Sequence, residues 1–369
     1  MAARFNELTV AVLDRLTDDS VAITFAVPPE LVAAYAHAAG QHVAVVAPAL
    51  DDGERRSYSI CTAAGSGVLR IGVKLLSGGG FSTYVANTLE VGDALQVLTP
   101  AGRFGPGQLD PGQVRSYGLV AAGSGITPVL SIAATVLAEQ PGSRVTLVYA
   151  NRTARSVMFA EEVADLKDRF SARLQLVHVL SREPGGVDLL SGRLDRQRMD
   201  RLLDGPVAAE QIDCWYLCGP HAMVTDLRDL LLQRGADPAA VHTELFHADE
   251  SPPAPKLSPA HGVLTPSAGD NSWGAAGGAE VEVLLDGRRS TLRVPLNGAP
   301  VLEAALAVRA DAPYSCRGGV CGTCRARLIE GTVRMDHSYA LEPGEIADGY
   351  VLTCQSHPTS DRVVLDFDV

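Results

Sequence analysis

Short runs of alternating hydrophobic and polar positions fill the first third of the chain. The runs TVAVLDRL, SVAITFAV, QHVAVVAP, RRSYSICT, VLRIGVKLL and ALQVLTP are rich in β-branched residues and are separated by Gly, Pro and Asp turns. Two short helices are predicted between these runs, at 29–37 and 82–89. Because six strands with so little helix are typical of a closed sheet, an antiparallel β-barrel is predicted over residues 1–112.

The pattern changes between residues 113 and 246, where apolar strands alternate with helices. The strands are SYGLVAAG, RVTLVYA, RLQLVHVL, CWYLCG and VHTELF, and helices are predicted at 128–139, 158–169 and 222–234. This alternation predicts an α/β domain with a doubly wound parallel sheet.

The last third begins with a segment that has no hydrophobic period. Residues 247–279 are rich in Pro, Gly, Ser and Ala and predict a flexible linker, whose reach would be on the order of 30 Å. In the domain at 280–369, EVEVLLDG and STLRVPL predict a hairpin, and PVLEAALAV predicts a short helix before a cysteine-rich loop. The fold class is therefore a multidomain combination of α+β and α/β.

Composition narrows the class of protein. A chain of 369 residues with 46% apolar and 20% charged residues is expected to fold into two or three soluble domains. Its net charge of −12 argues against nucleic acid as a partner and suits a basic protein partner. The N-terminal MAARFNELTVAVLDRL contains no signal-type apolar run, and His, Gln and Pro interrupt the apolar stretch at 31–50, so we expect a cytoplasmic protein with no membrane partner.

The cysteines form the most specific chemical pattern. Four of the seven share the spacing C-x4-C-x2-C…C of plant-type [2Fe–2S] sites: Cys316, Cys321, Cys324 and Cys354. Glycines that let the loop curl around a cluster lie between them: Gly318, Gly319 and Gly322. Structural zinc usually takes two close cysteine pairs, and a redox dithiol would leave Cys316 and Cys354 unused. A disulfide is disfavoured in a reducing cytoplasm, and Cys61 and Cys214 are predicted to be buried packing residues.

Two glycine turns upstream predict nucleotide binding. Gly123-x-Gly125 follows a strand and precedes a helix, which favours a pyrophosphate at the helix N-terminus. Pro128 stands in place of the third glycine of the dinucleotide fingerprint, so this pattern is weak alone. The tripeptide CGP at 218–220 ends the fourth strand, at the same carboxyl edge of the sheet.

In the predicted barrel, RSYS places Arg56 and Tyr58 on one face of a strand, where the cation would hold a phosphate and the ring would stack on a flavin. The glycines of GGGFST, at 78–83, precede a helix and suit a second phosphate contact. An edge strand followed by an ordinary glycine turn is the alternative interpretation of both motifs.

Together these motifs resemble the ferredoxin–NADP⁺ reductase superfamily. The resemblance is carried by RSYS, GGGFS, GSGITP, CGP and ELF. The domain order is similar to that of oxygenase reductases such as the 3-ketosteroid 9α-hydroxylase reductases. It is most similar to the reductase subunits of phenylacetyl-CoA epoxidases, through GQH, RRSYSIC, GITP, YANRT, PYSCRGGVCGTC and SYALEPGEIADGYVLTCQ. The long linker departs from that family.

The resemblance implies FAD, a nicotinamide donor, a β-grasp-type [2Fe–2S] ferredoxin domain and an oxygenase component as electron acceptor. The FAD contacts it implies are Arg56, Ser57, Tyr58, Ser59, Val73, Lys74, Gly80, Phe81 and Ser82. The nicotinamide contacts it implies are Gly123, Gly125, Thr127, Pro128, Cys218, Gly219 and Pro220. Ser59, Cys218 and Glu244 would be catalytic, with Ser59 near the flavin N5, and Phe246 would cover the flavin until nicotinamide displaces it.

The choice of donor depends on the ends of the second and third α/β strands. Arg152 and Arg155, in YANRTAR, lie where a 2′-phosphate would bind, and that stretch contains no acidic residue that would favour NADH. Ser181 and Arg182 end the third strand and resemble the serine–arginine pair of NADP-dependent relatives. NADPH is therefore predicted over NADH, with solvated surface arginines as the alternative.

The combined prediction is an electron-transfer reductase. Electrons would pass from NADPH through FAD and [2Fe–2S] to an oxygenase, with the di-iron phenylacetyl-CoA epoxidase as the expected acceptor. Three alternatives stay open: a reductase of the same architecture for another oxygenase, a non-catalytic flavin or iron–sulfur redox sensor, and a zinc-binding interaction module.

Overall fold

The computed structural model describes residues 4–50, 55–76, 78–183, 187–207, 211–246, 278–295 and 298–369. These residues belong to two compact units, of which the first ends at Phe246. The linker predicted at 247–279 lies outside the described residues except for Gly278 and Ala279, which already belong to a strand. In the described part of the chain, no helix has the length and apolar content needed to cross a membrane.

The first sheet consists of six antiparallel strands. They are β1 (Phe5–Thr17), β2 (Ser20–Ala26), β3 (His42–Val46), β4 (Arg56–Ser59), β5 (Leu69–Lys74) and β6 (Ala94–Leu98). Their hydrogen-bonded order is β4-β3-β6-β1-β2-β5. The six predicted strands are thus confirmed, but the ladder does not close into the predicted barrel, because the short strand β4 ends before it pairs with β5. A single bridge between Ile60 and Ile71 links the two ends.

One of the two helices predicted in this sheet domain is wrong. The helix α1 (Gly80–Asn87) is present and begins two residues before its predicted start. The segment predicted as a helix at 29–37 contains only a 3₁₀ turn, Pro29–Leu31. Its Tyr35 is buried and donates a hydrogen bond from its hydroxyl to the carbonyl of Val97 at 2.6 Å. The packing of Tyr35 against β6 therefore determines the backbone conformation of this segment.

The predicted α/β domain is confirmed as a five-stranded parallel sheet. Its strands are β7 (Ser116–Ala122), β8 (Arg144–Asn151), β9 (Leu174–Leu180), β10 (Cys214–Gly219) and β11 (Val241–Leu245), and its helices are α2 (Ile126–Glu139), α3 (Ala160–Arg169), α4 (Arg196–Leu203) and α5 (His221–Gln233). The order β11-β10-β7-β8-β9 reverses direction at β7, which opens a ligand crevice at the carboxyl ends of β7 and β10. Sequence reasoning missed α4, because three apolar residues in eight are too few to reveal a period.

The core of the first unit crosses from the antiparallel sheet into the α/β domain. Ala22, Cys61 and Phe104 belong to the same buried cluster as the apolar residues of α2 and β7. The Ser131 hydroxyl also donates to the Thr62 carbonyl at 2.7 Å. This shared core holds the two domains of the first unit in one geometry.

The second unit contains a mixed sheet and a two-stranded sheet. Its elements are β12 (Gly278–Leu285), β13 (Arg288–Pro295), α6 (Val301–Val308), β14 (Arg325–Glu330), β15 (Val333–Met335), α7 (Pro343–Ala347), β16 (Tyr350–Leu352), β17 (Ser356–Pro358) and β18 (Arg362–Asp366). The strand order is β13-β12-β18-β14-β16, with β15 paired to β17 and with β12 parallel to β18. The predicted hairpin and the helix α6 are confirmed, and the later strands were not predicted.

Candidate functional site

The four predicted cysteine ligands lie together in the second unit. Cys324 and Cys354 are buried, and Cys316 and Cys321 are half-buried. Cys316 neighbours Cys321, and Cys324 neighbours Cys354, closely enough for each pair to shift its pKa values. The tertiary fold thus brings the fourth cysteine, which follows β16, to the loop that carries the other three.

The cysteine loop curls through residues with positive φ. Gly319 and Gly322 have φ values of +75° and +67°, as their predicted role requires. The N–H of Gly318 points to the sulfur of Cys316 at 3.4 Å. Arg317 also adopts a left-handed φ of +54°, which the sequence did not predict because it is not a glycine. Its side chain is anchored by an ion pair with Glu303 at 3.1 Å.

The electrostatics of this loop favour a group that supplies positive charge. The hydrogen bond with Cys321, together with burial, raises the pKa of Cys316, and the hydrogen bond with Cys354, together with burial, raises the pKa of Cys324. Four neighbouring thiolates are stable only with cations between them. Among the described residues no three His, Cys, Asp or Glu side chains are spaced for a single metal ion, whereas a [2Fe–2S] cluster divides four thiolates between two irons. The donor set fits such a cluster.

A second site lies where the antiparallel sheet meets the α/β domain. The hydroxyl of Ser59, at the end of β4, donates to a carboxylate oxygen of Glu244 at 3.2 Å. Cys218 is paired with Glu244 across β10 and β11 and is fully buried. Burial, and secondly the charge of Glu244, raises the pKa of Cys218 well above its ordinary value. The Cys218 thiol is therefore neutral at pH 7.

The carboxyl edge of the parallel sheet leaves little room for side chains beside Cys218. An added Cβ on Gly125 would lie 2.2 Å from the carbonyl oxygen of Cys218, and one on Gly219 would lie 2.6 Å from the end of Met223. Gly123 has a φ of +54°. The other predicted contacts flank this edge: buried Thr127 and Pro128 in the first turn of α2, and exposed Pro220 before α5. Gly125 and Gly219 therefore let the start of α2 and the end of β10 pack against each other at this edge.

Strand β5 and helix α2 touch directly beneath this edge. An added Cβ on Gly72 would lie 2.8 Å from the ring of Phe159 and 2.9 Å from the methyl group of Thr127. Phe159 is buried and has a left-handed φ of +57°. Because β5 also carries Val73 and Lys74, this contact places the predicted flavin strand against the predicted nicotinamide helix.

The predicted FAD residues meet where β4 faces α1. The rings of Tyr58 and Phe81 have centroids 5.4 Å apart. Phe81 and Val73 have buried core side chains, so only their backbones can reach a ligand. The hydroxyl of Ser82 donates to the Gly79 carbonyl at 3.2 Å.

The remaining FAD candidates differ in exposure. Gly80 is exposed at the first position of α1, with nothing within 4 Å of an added Cβ. Arg56 and Ser57 are half-buried on β4. Lys74 forms an ion pair with Asp19 at 3.1 Å. A half-buried cation and ring on β4 beside an open helix N-terminus fit a flavin nucleotide.

The residues predicted to select the donor lie side by side at the ends of β8 and β9. The backbone N–H of Arg182 donates to the carbonyl of Arg152 at 2.8 Å. Arg152, Arg155 and Arg182 are exposed, and none of them forms an ion pair with a described residue, while Ser181 is half-buried.

A carboxylate at this position was missed by the sequence analysis. Glu183 follows β9 and accepts a hydrogen bond from the N–H of Ala154, in the turn after β8, at 2.9 Å. The motif after β8 contains no acidic residue, and the pairing of β8 with β9 brings the carboxylate that follows Arg182 to the turn that carries Arg152 and Arg155. Phe246, which ends the first unit, packs against the shared core.

Comparisons with known proteins assign a cofactor class to each region. Residues 7–105 match the oxidoreductase FAD-binding domain, residues 119–229 the oxidoreductase NAD-binding domain, and residues 283–359 the 2Fe-2S iron-sulfur cluster binding domain. The chain is 39% identical to one of the subunits of 1,2-phenylacetyl-CoA epoxidase from Escherichia coli (strain K12), over 99% of this chain and 98% of the relative.

One further relative and one solved structure match nearly the whole chain. The ferredoxin reductase component of 3-ketosteroid-9-alpha-monooxygenase from Rhodococcus rhodochrous is 34% identical, over 98% of this chain and 96% of the relative. The solved structure of phthalate dioxygenase reductase, at 23% identity and a TM-score of 0.56, shares the fold over 98% of both chains.

Proposed function

This chain belongs to the family of oxygenase reductase components that combine FAD-binding, NAD-binding and [2Fe–2S] domains, and we propose that its electrons pass from NADPH to a di-iron phenylacetyl-CoA epoxidase. The observation that supports a reductase most directly is the Ser59–Glu244–Cys218 arrangement at the crevice between the FAD- and NAD-binding regions. The acceptor is proposed from the 39% identity to a component of that epoxidase.

The proposed domain limits are those of the sequence analysis. FAD is assigned to residues 1–112 as a barrel-type domain, the nicotinamide donor to 113–246, and the cluster to a β-grasp-type domain at 280–369. The linker predicted at 247–279 is proposed for residues 247–277, since Gly278 and Ala279 belong to β12, and the cytoplasmic location stays a prediction.

The chain's own residues would bind and orient the reacting groups. When bound, FAD accepts hydride from the nicotinamide and releases single electrons, which a [2Fe–2S] cluster can carry. Arg56 and the exposed N–H groups at the start of α1 hold phosphates, and the Tyr58 ring supports the flavin. Glu244 accepts a hydrogen bond from the hydroxyl of Ser59, which would fix the Ser59 side chain beside the flavin N5.

Other residues shape the nicotinamide slot and the cluster site. Cys218, as a neutral thiol, supports the nicotinamide ring without placing a negative charge beside it. The Phe246 ring occupies that slot until the nicotinamide enters. The four cysteine thiolates hold the cluster.

The preference for NADPH is proposed from the three exposed arginines beside β8 and β9. A 2′-phosphate would bind them without breaking any ion pair to a described residue. Glu183 opposes this preference, because its carboxylate occupies the N–H of Ala154.

The double variant Arg152→Ala, Arg182→Ala is expected to raise the KM for NADPH by about 100-fold or more, because each charge-assisted bond to phosphate is worth about 1.5–3 kcal/mol and two are removed. The KM for NADH should change much less. Arg144→Ala is the matched control, since Arg144 is exposed at the opposite end of β8. Steady-state kinetics with both donors measures the difference, and equal increases for NADPH and NADH would contradict the proposal.

The proposed function is tested by anaerobic titration of the purified chain with NADPH. Flavin and cluster absorption should both bleach, and more than one equivalent should be consumed because the cluster takes an electron beyond the two of the flavin. Turnover should then follow addition of the epoxidase component, and exceed that with a steroid hydroxylase component. A colourless protein would support the zinc alternative, and a coloured protein that NADPH does not reduce would support a redox sensor.

A further inference from the structure

The residue after the fourth cysteine connects both parts of the cluster site. Gln355 is buried, with 8% of its surface exposed. Its side-chain nitrogen donates to the carbonyl of Arg317 at 2.7 Å and to the carbonyl of Cys354 at 3.1 Å, and it lies 3.7 Å from the Cys354 sulfur. One amide group therefore reaches the cysteine loop and the distal cysteine together.

We propose that Gln355 is a positioning residue for the iron–sulfur cluster, which fixes the cysteine loop and raises the cluster's reduction potential through an N–H directed at the Cys354 sulfur. This inference rests on the proposed [2Fe–2S] site and extends it to a residue that is not a ligand.

The backbone of the loop requires such a partner. Arg317 adopts a left-handed φ of +54° without being a glycine, a conformation that costs energy and persists only when its surroundings hold it. The shortest of the Gln355 contacts holds the Arg317 carbonyl. Gly319, with a φ of +75°, packs over the same side chain, since an added Cβ there would lie 3.1 Å from the Gln355 methylene.

Gln355 itself is held from both sides. Its backbone N–H donates to the Leu352 carbonyl at 2.9 Å, and its backbone carbonyl accepts the N–H of Asp336 at 3.0 Å. These bonds fix the backbone of Gln355, and the orientation of its side-chain amide follows from the three acceptors that its nitrogen faces.

The direction of the effect follows from charge. Reduction adds a negative charge to the cluster and its thiolates, and a nearby N–H donor stabilises that charge. Hydrogen bonds to the sulfurs are one of the terms that set iron–sulfur potentials. An amide at Cys354 therefore makes the cluster easier to reduce, which favours electron flow from the flavin to the cluster.

The test is a potentiometric titration of the full-length holoprotein, comparing wild type with Gln355→Met and Gln355→Glu. Methionine keeps the length of the side chain and removes the donor. We expect the equilibrium constant for one-electron reduction of the cluster to fall about tenfold, which lowers the reduction potential by about 59 mV. Glutamate adds a carboxylate beside the sulfur and should shift the potential further in the same direction.

Ser356→Ala is the matched control. Its buried hydroxyl donates to the Leu352 carbonyl at 2.8 Å, so its loss removes a neighbouring hydrogen bond but no donor to sulfur. We expect a lower melting temperature with an unchanged cluster potential. If the Gln355 variants also show a lower melting temperature with an unchanged cluster potential, the role of Gln355 is purely structural and the inference is overturned.

Two further outcomes are distinguishable. A wild-type protein without a cluster spectrum would overturn the proposed function itself. If the Gln355 variants fail to retain a cluster, pulsed EPR of reduced wild type labelled with side-chain ¹⁵N-glutamine decides the matter. A ¹⁵N coupling to the cluster is expected, and its absence would refute the N–H contact to Cys354.

Discussion

Replacing Cys354 with serine is expected to abolish electron delivery to the oxygenase while leaving flavin reduction by NADPH intact. Cys354 is the predicted ligand that comes from outside the loop, and it neighbours Cys324. Loss of a group that hydrogen-bonds to a metal ligand lowers metal affinity by about 10–100-fold. Loss of the ligand itself should lower the affinity for the cluster by more than about 100-fold, so that little cluster is retained. Iron and labile sulfide analysis, with stopped-flow flavin reduction in parallel, measures both effects.

Cys214→Ala is the matched control for this variant. Cys214 is buried in the first unit, where burial raises its pKa to about 12, and it has no role in the proposed site. The control should keep its cluster and lose only packing energy. A Cys354→Ser protein with wild-type iron content would show that Cys354 is not a ligand.

Removing either partner of the Ser59–Glu244 hydrogen bond is expected to slow flavin reduction by about 10- to 100-fold with little change in FAD content. The two residues share one contact at 3.2 Å, so they should act as a unit. Ser59→Ala combined with Glu244→Gln should therefore be no slower than the slower single variant. Stopped-flow absorbance under saturating NADPH measures the rate.

Thr243→Val is the control for this pair. Thr243 precedes Glu244 on β11, and its side chain points to the opposite face of the sheet because side chains alternate along a strand. Its rate should match wild type. Additive losses in the double variant would mean that Ser59 and Glu244 act independently.

The shared core of the first unit explains why substitutions at Ser59 and Glu244 should strongly affect the rate of flavin reduction. Gly72 on β5 lies against Thr127 and Phe159, and Gly125 lies against the backbone of Cys218. Neither glycine position has space for a methyl group without displacing its neighbours. The contact of Gly72 with the buried side chains of Thr127 and Phe159 therefore fixes how closely β5 approaches α2.

Local patterns predicted much of the fold. The strands of the first two domains and the helices α2, α3 and α5 were found to within a few residues, because apolar runs and Gly, Pro and Asp turns are read over short windows. The prediction of a helix at 29–37 was wrong, because the packing of Tyr35 on β6 outweighs local helix propensity. The short strands β15, β16 and β17 were not predicted, because three residues are too few to show a hydrophobic period.

The sequence by itself predicted the cysteine ligands and determined the class of each cofactor domain, because ligand spacing and glycine turns are local chemistry that survives without tertiary information. Only the tertiary structure decided which distant groups meet. Ser59 and Glu244 are separated by 185 positions, Glu183 reaches the turn after β8 through the pairing of β8 with β9, and Gln355 reaches Arg317 across 38 positions. Such contacts arise from strand order and packing, which no short window of sequence encodes.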